Sequence, residues 1–137
     1  MADLAGKFNL LPPDDGGQAF TKFLQALGVS GAALEAQNMI TSLSEEFRSN
    51  GDGWTLTSTS DLGTESVSFR FGEEVRSKVY DAIDTTSVFT EHATGVDQDF
   101  TIDGHTARIR REQTRDGMTT VCAYRGTSAV RKFRRTA

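Results

Sequence analysis

The chain has 137 residues, 36% of them hydrophobic, with two prolines and a formal net charge of −4. That length suits one domain, residues 1–137, built around a single core, and the composition excludes the disordered and fibrous classes. The acidic balance excludes general nucleic-acid binding, which needs a basic footprint, although the last thirteen residues hold five basic and no acidic side chains.

AGKFNLL alternates and predicts a first strand over Ala5–Leu11, ended by the breakers PPDDGG. In QAFTKFLQALGV the apolar residues at 19, 20, 23, 24, 26 and 27 keep helical spacing, and Gly28 supplies a stop, so a helix is expected at about 18–28. SGAALEAQNMI predicts a second helix at about 30–39 with Ser30 at its N-cap. The short join makes the two an αα-hairpin. Beyond about residue 40 helical spacing stops, and short runs rich in Val, Phe, Ile and Thr follow turn signals. NGDG precedes WTLTSTS, DLG precedes TESVSFRFG, Asp103-Gly104 precedes HTARIRREQ, and Asp116-Gly117 precedes MTTVCAYRG. Strands spaced so evenly predict an antiparallel meander that curls into a barrel to remove its edges. Counting the first strand, about ten are expected, and eight already suffice to enclose a small ligand.

Alternation sorts the faces of the last strands. With Phe133 inward, Arg131 and Ala129 follow it, while Val130, Lys132 and Arg134 face out. With Ile109 inward, Ala107 and Arg111 follow. In MTTVCAYRG, Val121 and Ala123 are expected to line the cavity, with Phe20 from the first helix, and Cys122 to face out. Two inward arginines need an anionic partner or a hydrated cavity. A ligand carboxylate matches the planar guanidinium fork; Glu112, Asp97 or Asp99, or water, are the structural alternatives.

Several stretches, in order, resemble the intracellular lipid-binding proteins, the family of fatty-acid-binding and cellular retinoic-acid-binding proteins. AGKFNLL is similar to the family's opening strand, AFTKFLQALGV to its first helix and NMITS to the end of its second. NGDGWTLTSTS and TESVSFRFGEE are similar to its third and fourth strands, RREQTRDGM to its Arg-Glu-Leu hairpin, and VRKFRR to its closing Arg-x-Tyr strand. The resemblance implies an all-β fold: a ten-stranded antiparallel β-barrel, or β-clam, capped by a helix-turn-helix lid. It implies a carrier whose ligand carboxylate meets Arg111 and Arg131, and a portal near Leu34, Met39 and Leu62. It also places Phe133 where the family has a ligand-binding tyrosine. PPDDGGQ is longer than the family's usual link, and Val75–Ile102 match it poorly.

The expected function is therefore an intracellular carrier of a long-chain fatty acid, with a retinoic acid or other retinoid carrier as the alternative. No enzyme signature is present: there is no Gly-x-Ser-x-Gly elbow and no phosphate loop, and adjacent pairs such as Glu45-Glu46 splay on a strand. His92 and His105 are thirteen residues apart with no cysteine cluster near, so neither a metal nor another cofactor is expected. The single cysteine and a start without secretory character suggest a cytoplasmic monomer. Lys22, Lys132, Arg134 and Arg135 form an outward basic set suited to transient contact with anionic membranes.

Overall fold

The computed structural model describes residues 3–136. Strand β1 (Gly6–Leu10) is followed by helices α1 (Gln18–Ala26) and α2 (Gly31–Asn38). Nine strands then run on: β2 (Leu43–Ser49), β3 (Trp54–Ser60), β4 (Gly63–Phe69), β5 (Glu74–Val79), β6 (Ile83–His92), β7 (Gly95–Ile102), β8 (His105–Gln113), β9 (Gly117–Tyr124) and β10 (Thr127–Arg135). They form one antiparallel sheet in the order β4-β3-β2-β1-β10-β9-β8-β7-β6-β5. Only β1 pairs out of sequence, with β2 on one side and β10 on the other, and this closes the meander into a barrel open between β4 and β5. No helix is long and apolar enough to cross a membrane among the described residues.

The helices end for local reasons. At the end of α1 the chain turns left-handed at Gly28 (φ 97°), whose N–H reaches the Gln25 carbonyl while that of Val29 reaches the Leu24 carbonyl. This is the paired closure that a glycine after a helix permits. The apolar face of α1 buries Phe23 and Leu24. Ser30 occupies the N-cap of α2, but its side chain makes no capping hydrogen bond.

The inner volume holds two apolar clusters. The lid-side cluster joins Phe23, Leu24, Leu27 and Val29 to Phe100, Ile109, Cys122 and Tyr124. The other joins Phe8, Phe47, Trp54, Phe69, Phe89, Met118 and Phe133 at the far end.

Register corrects the expected faces of β9. Val121 and Ala123 do not line the cavity; they are half-buried on the outer face, and Cys122, expected outside, is buried. Ile109 pairs with Cys122 and Arg111 with Thr120, while Arg131 pairs with the same Thr120 across β10. Directly paired residues share a face, so Thr120, Cys122 and Tyr124 must turn in with the arginines. Both faces of β9 carry apolar residues, so alternation within that strand alone could not choose. The turns could. Arg125 and Gly126 both have positive φ in a two-residue hairpin turn that pairs Tyr124 with Thr127. Such a turn sets odd-numbered residues of β10 against even-numbered residues of β9.

Asp116-Gly117 is also not the centre of its turn. Thr114 and Gly117 close that turn, and Gly117 lies in β9, where a Cβ would collide with the Phe133 carbonyl. Its glycine permits close approach of β10. Arg135 corrects a third expectation. It shares the inner face with Phe133, lies over the Phe8 ring at 4.6 Å, and donates to the Ala5 and Thr114 carbonyls. It closes the barrel end and is not part of the outward basic set.

Candidate functional site

Between the two apolar clusters lies a polar belt. Glu45 on β2 accepts from Arg111 Nε at 3.0 Å, and Gln98 Oε1 on β7 accepts from Arg111 Nη1 at 3.0 Å. Gln98 Nε2 donates in turn to Ser87 Oγ (3.1 Å), which shares a hydrogen bond with Ser77 Oγ (3.0 Å). The chain of contacts thus crosses the barrel from β2 through β8, β7 and β6 to β5. The Arg111 and Glu45 side chains are only 6% and 12% exposed, so the pair is desolvated. Burial works to lower the Arg111 guanidinium, but the charge and hydrogen bond of Glu45 outweigh it and hold it above its ordinary value. The sequence alternatives for this partner were different residues. Asp97 and Asp99 face out and pair with Arg110 and Arg108, and Glu112 is exposed. Glu45 was missed because it lies 66 residues away on a strand whose sequence, LSEEFRS, alternates weakly. The phenylalanine two positions on, Phe47, was the available sign that Glu45 faces in.

Arg131 is placed differently. Among the described residues it has no carboxylate partner and no side-chain hydrogen bond; its guanidinium lies 3.9 Å from the Phe20 ring centroid. Thr120, register partner of both arginines, has a buried hydroxyl with no hydrogen-bond partner among the described residues. Close by, Tyr80 donates its hydroxyl to Cys122 Sγ at 3.5 Å. Burial, then the Cys122 neighbour, push the Tyr80 phenol well above its ordinary range, and burial likewise raises the Cys122 thiol.

Glu45, Gln98, Ile109, Arg111 and Arg131 border a cavity of about 110 Å³. Its mouth is formed by Gln37 and Ile40 after α2, by Ser60 and Gly63, and by Tyr80 and Asp81. A drug-sized ligand needs roughly 300 Å³ or more, so a lipid must enlarge this space by moving side chains or the lid. A second hollow of about 580 Å³ lies under the β1–α1 link, bordered by Leu10, Pro13, Phe20, Val130 and Lys132. Arg131 borders both spaces. Phe20 faces the outer hollow and not the inner cavity, and Phe133 is packed into the far apolar cluster and not on the cavity wall. Of the expected portal residues, Leu34 packs against the lid-side cluster, while Met39 and Leu62 are exposed beside the mouth. His92 sits near Asp97 and His105 is exposed; no cluster suited to a metal occurs among the described residues.

No family model matches the chain. The chain is 29% identical over 136 residues to a fatty acid-binding protein of Schistosoma japonicum, covering 98% of this chain and 99% of the relative. Its fold superposes on the Schistosoma mansoni fatty acid binding protein in complex with arachidonic acid with a TM-score of 0.88. That match has 27% identity and covers 100% of this chain and 98% of the other. Over its whole length the chain is similar to fatty acid-binding proteins, and it shares their fold. Human cRBP IV, at 21% identity and a TM-score of 0.78 over 99% of this chain and all of the other, shares the fold. The relatives it matches are named as binding proteins. In the belt of this chain one inward arginine is already answered by a carboxylate of the chain itself.

Proposed function

We propose that the chain is an intracellular carrier of a long-chain fatty acid, held with its tail against the inner apolar surface and its carboxylate in the arginine belt, at Arg131. The observation that carries this reading is Arg131, a cation with no carboxylate partner among the described residues, at the border of an interior cavity. A cation so placed gains from an anionic ligand what it lacks from the protein. The solved relative with arachidonic acid supports the same ligand class. The tail supplies most of the affinity, at about 25 cal/mol per Å² of apolar surface buried, and the arginine fixes its direction. The exposed Lys22 and Lys132, close to the outer hollow, suit transient contact with anionic lipid during transfer.

Competition with a fluorescent fatty acid tests this. Oleate should bind at least about tenfold more tightly than methyl oleate, and Arg131→Gln should abolish that preference, since a hydrogen bond to a charged group contributes about 1.5–3 kcal/mol. Equal losses for both ligands would remove the electrostatic role. Stronger displacement by retinoic acid than by any fatty acid would move the ligand to the retinoid class.

A further inference from the structure

The charges facing the belt do not balance, and the imbalance is one unit. Glu45, Arg111 and Arg131 are the charged residues deep in the cavity wall; Glu65, Lys78 and Asp81, which also border it, are exposed at the mouth. Glu45 takes Arg111 Nε and Gln98 takes Nη1. A second carboxylate brought to Arg111 would lie beside that of Glu45, and like charges in a desolvated site repel strongly. Arg131 faces no such anion. Next to it stands Thr120, only 4% exposed, whose hydroxyl is without a hydrogen-bond partner among the described residues. An unanswered buried hydroxyl is costly unless something fills its need.

Resting on the carrier reading above, we propose that Glu45 is the specificity-determining residue of this site. It acts as a built-in counter-ion that withdraws Arg111 from ligand binding. What remains is a one-cation site, Arg131 with the Thr120 hydroxyl, that receives a lipid with a single carboxylate. Thr120 then supplies the donor that Phe133 lacks. Arg111 is a positioning residue. It holds Glu45, Gln98 and, through Gln98, Ser87 in a satisfied network that spans the barrel wall.

The test compares oleate with methyl oleate by displacement titration on four variants of the full chain, each checked for native circular dichroism. Glu45→Gln removes the counter-ion, so oleate affinity should rise about tenfold with methyl oleate unchanged. The double variant Glu45→Gln/Arg111→Gln keeps the amide network without either charge. It should retain the preference for oleate within about threefold of the parent. Arg131→Gln and the isosteric Thr120→Val should each reduce that preference, by about tenfold and about fivefold. A double variant that loses the preference as fully as Arg131→Gln would overturn the proposal, because Arg111 would then hold the ligand directly. So would Glu45→Gln with unchanged oleate affinity. If the parent chain itself shows no preference for oleate, the carrier reading fails; a parent with the preference and a double variant without it defeats only the role given to Glu45.

Discussion

The two ends of the barrel are closed by different physics. At the far end the closure is aromatic and belongs to the sheet. Phe69 and Phe89 stack with centroids 3.9 Å apart, Phe8 and Phe47 are fully buried, and Arg135 covers the Phe8 ring. At the lid end two short helices bring their own aromatics, Phe20 and Phe23, edge-on to Tyr80 at 5.5 and 5.8 Å. They are tied down by few polar contacts: Gln37 Nε2 to the Tyr80 carbonyl (2.7 Å), Thr21 to Asn38 (3.0 Å), and Asp61 to Thr41 and Ser42. Regions with few buried contacts and exposed hydrogen bonds open first. The far end is therefore expected to hold the fold, and the lid end to open first.

The largest effect expected from breaking this contrast is at the far end. Phe89→Ala removes a fully buried ring from the stack on Phe69, and should cost about 3–5 kcal/mol of stability in denaturant unfolding. Oleate affinity of the folded fraction should change little. A loss under about 1 kcal/mol would mean that this end is not the stabilising core.

A smaller effect is expected at the lid, where it should appear as opening and not as unfolding. Phe20→Ala removes the edge contact to Tyr80 and the face beneath Arg131; aromatic pairs contribute about 0.5–1.5 kcal/mol beyond their area. Cys122 reports the result. Its thiol is buried, accepts from Tyr80 and is held above its ordinary range by burial, so it should label slowly with a thiol reagent. Phe20→Ala should speed that labelling about tenfold while lowering the unfolding midpoint less than Phe89→Ala does. Fast labelling of the parent chain would contradict the inward register of β9.

That register marks where the sequence was readable and where it was not. The helical hairpin and the barrel were legible because each rests on a local pattern: helical spacing ended by Gly28, and alternating runs preceded by Asn-Gly and Asp-Gly turn signals. The inward placement of Arg111 and Arg131 was legible because each alternates with one clear apolar anchor, Ile109 and Phe133. β9 has no such anchor, since Val121 and Cys122 are equally apolar, and its face is decided by pairing with neighbours on both sides. Glu45 was hidden for a related reason. Its partner lies across the interior, and no local pattern encodes a contact between β2 and β8.

The smallest effect separates the lid from the wall by pH. Asp61, in the turn between β3 and β4, accepts from the Thr41 hydroxyl and from the N–H groups of Thr41 and Ser42, so it ties the chain after α2 to the rim of the mouth. The Thr41 hydroxyl, then the Ser42 N–H, hold its carboxyl below the ordinary value of 3.8. A carboxyl lowered in the folded state stabilises its contacts above the ordinary value, and that contribution fades as pH falls through the lowered one. Hydrogen exchange at the Thr41 and Ser42 amides should therefore be steady down to about pH 5 and accelerate toward about pH 3 relative to amides of β8. Asp15 follows the same direction at the start of α1, where it accepts from Gly17 and Ala19, so the variant matters: Asp61→Asn should remove the pH step at Thr41 and Ser42 and leave that at Ala19. A step that survives in Asp61→Asn would assign the rim to other groups, and equal acceleration at β8 would show that acid opens the barrel as a whole and not its lid.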